Sequence, residues 1–164
     1  MSLLPKSPSE SSVEMTEMVL PSHTNALGTI FGGTVMSWID IAAAIAATRH
    51  ARKTTVTASV DALHFIAPIK LGHIVQIKAK VNFVARTSME VGVRVESENP
   101  LTGERSHTVS SYLTFVAVDE NGKPTAVPPL LPSTADEKRR WEQAQKRRAS
   151  RTSLANSLSA RQTP

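Results

Sequence analysis

The sequence predicts an α+β fold in which a five-stranded antiparallel sheet wraps around one long central helix, with a second helix after the sheet. Three observations predict it. Thr34 to Arg49 contains neither Gly nor Pro, is rich in alanine and is apolar nearly all round (Val35, Met36, Trp38, Ile39, Ile41, Ile45), which marks a helix buried within the domain. Four segments behind it alternate apolar and polar residues with the period of two expected of strands. Pro128, Pro129 and Pro132 then stop the sheet and give way to a basic stretch of helix-forming composition.

Residues 1–12, MSLLPKSPSESS, are polar and hold no apolar run of signal-peptide length, so they are expected to be a disordered lead. The sheet domain is expected over residues 13–132. Val13, Met15 and Met18 or Leu20 give the first strand its apolar points, and Pro21 ends it. Ser22 to Leu27 form a polar loop, after which Gly32-Gly33 permits a tight turn into the helix. The later strands are expected at Thr55 to Phe65, His73 to Val84, Met89 to Glu98 and His107 to Val118. In the second of these Val75, Ile77, Ala79, Val81 and Phe83 oppose Gln76, Lys78, Lys80 and Asn82; in the third Met89, Val91, Val93 and Val95 oppose Glu90, Arg94 and Glu96. Each therefore has one wet face. The last has apolar residues on both faces, as suits an interior strand. Asn99 to Gly103 and Asn121-Gly122 carry turn chemistry. Residues 133–148 form a basic helix, capped by Ser133 or Thr134 with Asp136 and Glu137 in its first turn, and the serine-rich residues 149–164 are expected to be a disordered tail.

Length and composition narrow the function. A chain of 164 residues fits one core, and no apolar run approaches the roughly 20 residues that span a bilayer. Membrane insertion is not expected, and cytoplasmic residence is. The absence of cysteine removes disulfides, thiolate metal sites and a cysteine nucleophile. The net charge of +5 would suggest a nucleic-acid binder, but its location argues otherwise. Residues 1–132 carry 11 Lys/Arg against 11 Asp/Glu, and residues 133–164 carry 8 against 3. A neutral fold with 4% aromatic residues lacks the basic, stacking surface that nucleic acid requires, so no nucleic-acid partner is expected.

Chemistry concentrates between Pro21 and Arg49. Asp40 lies two helical turns beyond Gly33, on a stripe with Gly33, Ser37, Ala44 and Ala47, where every neighbour is small. That stripe leaves room for a ligand or a second subunit. A buried carboxylate is uncommon unless paired, so Asp40 is either functional or satisfied by a neighbouring hydroxyl. The amides at Gly32 and Gly33 start the helix with its positive dipole end and no side chain in the way, an arrangement suited to an oxyanion or a polarised carbonyl. Asn25, seven residues before Gly32, offers an amide donor. Read separately, Asn25 is a turn former and Gly32-Gly33 a close-packing device; together with Asp40 they read as a site.

The string HTNALGTIFGGTVMSWID, followed by VDALHFIAPIKLG, RTSMEVGV and YLTFVAVDENGKP, resembles the hotdog-fold acyl-CoA thioesterases of the bacterial YciA and cytosolic acyl-CoA hydrolase type, over roughly residues 13–132. The resemblance implies a hotdog fold, the wrapped helix already inferred. It implies hydrolysis of acyl-CoA to free fatty acid and CoA without a further cofactor. It implies that Asn25 and Asp40 carry the reaction with Gly32 and Gly33, in a site shared across a dimer, the dimers grouped as hexamers. Asp40 is then a general base on water or a nucleophile giving an anhydride. The same resemblance places CoA contacts at Arg86-Thr87-Ser88-Met89, whose guanidinium, hydroxyls and turn amides suit a phosphate, against the plainer reading of a solvated hairpin turn. Lys70 and Lys123 are weaker candidates. His64-Phe65 with Pro68 is similar to the HF-x-x-P string of hotdog dehydratases, but that string there precedes the central helix and here follows it. His64 is therefore read as structural. The alternatives are a dehydratase or hydratase, and a CoA-binding regulatory module without turnover. No histidine pair has metal-ligand spacing, and no metal is expected.

Overall fold

The computed structural model describes residues 3–160, and the five strands lie in one antiparallel sheet in the order β1-β3-β4-β5-β2. β1 is Val13–Met18, β2 Thr54–Val60, β3 Ile74–Val84, β4 Ser88–Glu98 and β5 Arg105–Val118. The long helix α1 runs Gly32–Ala51 between β1 and β2. The alternation read from the sequence sets the register: Val75, Ile77, Ala79 and Val81 of β3 lie beside Val91, Val93 and Val95 of β4, and all are buried against α1. Burying such a side chain contributes about 1.5–3 kcal/mol, and this layer is the core of the domain. β2 leaves its ladder after Val60 instead of running to Phe65; beyond it only the Asp61 and Ile66 amides still donate to β5 carbonyls.

α1 is buried on one side only. Val35, Trp38, Ile39, Ala42, Ala43, Ala46 and Ala47 face the sheet, whereas Met36 (49% exposed), Ile41 (46%) and Ile45 (38%) face outward. The expectation of burial all round therefore fails for one chain, because five strands cover one side of a helix. Arg52, with a left-handed φ of 52°, ends the helix, its amide donating to the Thr48 carbonyl at 2.8 Å.

Two expected boundaries are corrected. Residues 3–12 are packed, not a disordered lead. The Lys6 amide donates to the Pro129 carbonyl, the Lys6 carbonyl accepts from Leu131, and Lys6 Nζ donates to the His50 carbonyl at 2.8 Å. Pro8–Ser11 form a 3₁₀ turn that buries Ser11, whose hydroxyl accepts the Val81 amide at 3.0 Å; prolines pre-set this path for the chain and β3 supplies the donor. The expected disorder at residues 1 and 2 lies outside the described residues.

The second correction concerns the basic helix, which does not stop at residue 148. Helix α2 runs Ala135–Ala160, on the sheet face away from α1. Thr134 caps it, its hydroxyl accepting the Glu137 amide, while the Glu137 carboxylate accepts the Ser133 and Thr134 amides. Those donors hold the Glu137 carboxyl below its usual range. The Arg140 and Arg139 guanidiniums lower the Asp136 carboxyl to about 2. The extra turns form because the arginines find partners on the sheet. Glu90, 1% exposed, accepts Arg147 Nη2 at 2.7 Å and Arg151 Nη1 at 3.0 Å, and Arg151 Nη1 also reaches Asp61 Oδ2 at 2.9 Å. The part of the expected tail at 161–164 lies outside the described residues.

Candidate active site

The loop between β1 and α1 is built by its own side chains. A 3₁₀ turn, Pro21–His23, turns the chain, and the His23 ring meets Trp38 of α1 edge to face with centroids 5.2 Å apart. Asn25 follows. Its Oδ1 accepts the Leu27 amide at 2.9 Å and the Thr29 amide at 3.3 Å, and its Nδ2 donates to Thr29 Oγ1 at 2.9 Å. The side chain thus shapes an Asx turn that brings Gly28 to a φ of +72°. In this chain Asn25 is the turn former, and among the described residues no hydrogen bond joins it to Asp40.

The loop hands over to α1 at Phe31, whose amide donates to the His23 carbonyl at 2.8 Å. Gly32 and Gly33 occupy the first two helical positions, where no carbonyl lies one turn back to accept their amides. A Cβ on Gly33 would stand 2.7 Å from the Phe31 ring, so glycine lets that aromatic fold over the helix start. A Cβ on Gly32 would touch Phe65 at 3.5 Å. Gly32 also borders a largely apolar cleft of about 350 Å³ with Thr29, Phe65, Ile66 and Pro68.

Asp40 sits two turns along α1, half-buried, and Thr57 Oγ1 donates to its Oδ1 at 2.8 Å. One carboxylate oxygen is thereby fixed by an edge-strand hydroxyl and the other is free of protein hydrogen bonds among the described residues. Thr57 is the residue that sequence reasoning missed. Its only signal was a hydroxyl in the first strand after the helix, in the polar run Thr54, Thr55, Thr57, Ser59. A one-residue bulge separates Thr57, paired with Phe115, from Ser59, paired with Thr114.

Of the residues expected to meet CoA, Arg86 is exposed and Thr87 and Ser88 are half-buried in the turn from β3 to β4. The Ala85 amide closes this turn on the Ser88 carbonyl at 2.8 Å. Met89 is 1% exposed and points into the core, which leaves only its backbone for any ligand. Lys70 is exposed, its backbone bridged to Thr29 at the end of the Asn25 loop. Lys123 lies in the exposed turn after β5. His64 stands exposed between β2 and β3, away from the ordered ladder.

A larger cavity, about 670 Å³, lies on the other face of the sheet beneath α2, with Lys78, Lys80, Arg94, Arg140 and Arg147 around it. Its cations are largely answered by acids: Lys78 by Glu14, Arg94 by Glu96, Arg140 by Asp136 and Arg147 by Glu90.

Residues 27–104 match the thioesterase superfamily. Among curated proteins, the chain is 48% identical to the uncharacterized acyl-CoA thioester hydrolase YkhA of Bacillus subtilis over 128 residues, 78% of this chain and 74% of that protein. Among solved structures, it superposes on an apo-hexameric acyl-CoA thioesterase with a TM-score of 0.90 at 46% identity, covering 93% of this chain and 98% of that one. It superposes on an acyl-CoA hydrolase from Staphylococcus aureus, solved with butyryl coenzyme A, coenzyme A and coenzyme A disulfide, with a TM-score of 0.87 at 40% identity, covering 96% of this chain and 95% of the other.

Proposed function

The chain belongs to the thioesterase superfamily, and from that membership and the geometry we infer that it hydrolyses acyl-CoA thioesters at a site built on Asp40 and Thr57. The observation that carries the site is the 2.8 Å hydrogen bond from Thr57 to Asp40, two turns along the helix that starts at Gly32. The dehydratase alternative gains no comparable support, since His64 is exposed and, among the described residues, no hydrogen bond or ion pair joins it to an acid.

In the proposed reaction, the Gly32 and Gly33 amides polarise the thioester carbonyl and hold the oxyanion; one such donor is worth about 10²–10³ in turnover. Thr57 fixes one oxygen of Asp40 and turns the other toward the acyl carbon. Asp40 either takes the proton of an attacking water or attacks directly to give a mixed anhydride that water then opens. In both routes the C–S bond breaks, CoA leaves as the thiol and the fatty acid as the carboxylate. Water is the only co-reactant, and no cofactor is proposed. The Staphylococcus aureus hydrolase has been solved with an asparagine, an aspartate and a threonine each replaced by alanine, spaced in its chain as Asn25, Asp40 and Thr57 are here. That spacing supports assigning all three to the site.

The site is proposed to be completed by a second copy. Met36, Ile41 and Ile45 are exposed on the open side of α1, and β2 has an unpaired outer edge with Val56 (47% exposed) and Val60 (46%) bare. Exposed apolar side chains together with a free strand edge favour association. A partner seated there would bring its Asn25 loop toward Asp40, where the amide orients water or the acyl carbonyl. The hexameric state of solved relatives supports further grouping of dimers. CoA is proposed to lie along Arg86, Thr87, Ser88 and the Met89 backbone, with Lys70 as a second cation for phosphate. No helix of the described residues is long and apolar enough to cross a membrane, and residence in the cytoplasm is the proposed location. The test is thiol release from acyl-CoAs of graded chain length, with single turnover in ¹⁸O-water as a second readout: label in Asp40 marks an anhydride that water opens at the Asp40 carbonyl.

A further inference from the structure

We propose that Arg151 is a positioning residue for the reaction: by bridging Asp61 to buried Glu90 from α2, it holds β2 in the bulged register that turns Thr57 toward Asp40. This rests on the reading of Asp40 and Thr57 above. β2 is an edge strand paired on one side only, with β5, and is largely exposed. Because side chains alternate faces along a strand, a slip of one residue would swing Thr57 to the face away from α1. Such a slip is near at hand, since the bulge at Ala58 already inserts one unpaired residue between Thr57 and Ser59.

The bulge is held between two fixed ends. Upstream, Thr55 Oγ1 lies 3.0 Å from Thr48 Oγ1 of α1. Downstream, the Asp61 amide donates to the Tyr112 carbonyl at 2.9 Å and its carboxylate accepts Arg151 Nη1 at 2.9 Å. Arg151 is itself fixed, with Nη1 and Nη2 at 3.0 and 3.1 Å from Glu90 Oε2. Glu90 takes Arg147 on its other oxygen, and the Arg147 guanidinium lies 3.6 Å over the Tyr112 ring. Every member of this chain of contacts is buried or about one-fifth exposed, so water screens it little. The C-terminal helix is thereby tied to the strand that carries Thr57.

The experiment measures kcat and KM by thiol release on the full chain, for the wild type, Arg151→Gln, Arg151→Lys, Thr57→Ala and the Arg151→Gln/Thr57→Ala double variant. Misplacement of a reacting group by an ångström costs on the order of 10²-fold, so a partial slip is expected to lower kcat about tenfold in Arg151→Gln with KM nearly unchanged. Arg151→Lys should recover part of the loss. In the Thr57→Ala background Arg151→Gln should lower kcat no further, because the residue it positions is gone. Amide exchange over residues 57–60 should quicken in Arg151→Gln at temperatures where the protein remains folded. A folded Arg151→Gln with wild-type kcat, or an undiminished effect on top of Thr57→Ala, would overturn the proposal while leaving the site reading intact. Wild-type turnover by Thr57→Ala itself would sink the site reading, and this proposal with it.

Discussion

Thr57 donates a 2.8 Å hydrogen bond to Asp40, joining an edge strand to the long helix at the one carboxylate that α1 carries. The bond leaves one oxygen of Asp40 for chemistry. Thr57→Ala should therefore lower kcat by about tenfold or more while leaving KM close to its value, since a positioned acid–base group contributes about 10²–10⁴-fold and its orientation is part of that. Thr57→Ser keeps the hydroxyl and should recover most of the loss. A rate equal to wild type in Thr57→Ala would show that the bond plays no part.

A site shared between copies has a signature in mixed oligomers. Asn25→Ala and Asp40→Asn, each inactive as a homo-oligomer, should regain activity when co-expressed, because some interfaces pair an intact loop with an intact helix. No recovery in isolated mixed oligomers would place both groups in one chain's pocket.

Removal of residues 133–164 uncovers Phe83 and the sheet face around Glu90 and takes both arginines from that carboxylate. The loss of this packing and of both ion pairs should make the truncated protein melt well below the full chain. Glu90→Ala should also be destabilising, since it leaves Arg147 without its carboxylate and Arg151 with Asp61 alone. An unchanged melting temperature would mean that α2 is not docked in solution.

His50 is fully buried in α1, its Nε2 2.8 Å from the Pro128 carbonyl and its Nδ1 without a partner among the described residues. Burial pushes its pKa below the ordinary imidazole value. The unfolded chain then takes up a proton, near pH 6.5, that the fold resists. Stability from this group is complete above about pH 6.5 and declines as pH falls toward the depressed folded value. Melting temperature should drop from pH 7 to pH 5, and His50→Gln should flatten that drop. An equal pH slope in the variant would assign it to other groups.

The sheet and helix were legible because local patterns report them: period-two alternation in β3 and β4, and an unbroken helical run between Gly33 and Arg52. Asn25, Gly32, Gly33 and Asp40 stood out because a glycine pair and a carboxylate in an apolar helix are locally unusual. Thr57 did not, since a threonine in an edge strand looks like any wet-face residue until the bulge aims it at α1. Nor did the Glu90 cluster, whose partners lie 57 and 61 residues away in sequence. In the sequence Arg147 belongs to a basic helix and Arg151 to an expected disordered tail, and only the fold shows that both meet Glu90 on the sheet. The open side of α1 read as core because its apolar residues, Met36, Ile41 and Ile45, follow the same pattern as those that face the sheet.

The central claim is that Asp40 drives acyl-CoA hydrolysis, and the most direct measurement is thiol release at saturating acyl-CoA by the wild type and by Asp40→Asn, with melting temperatures showing both folded. The expected result is one free thiol per carboxylate formed, and a kcat at least about 100-fold lower in Asp40→Asn, the scale of a lost general base or nucleophile. Equal turnover by the two folded proteins would contradict it.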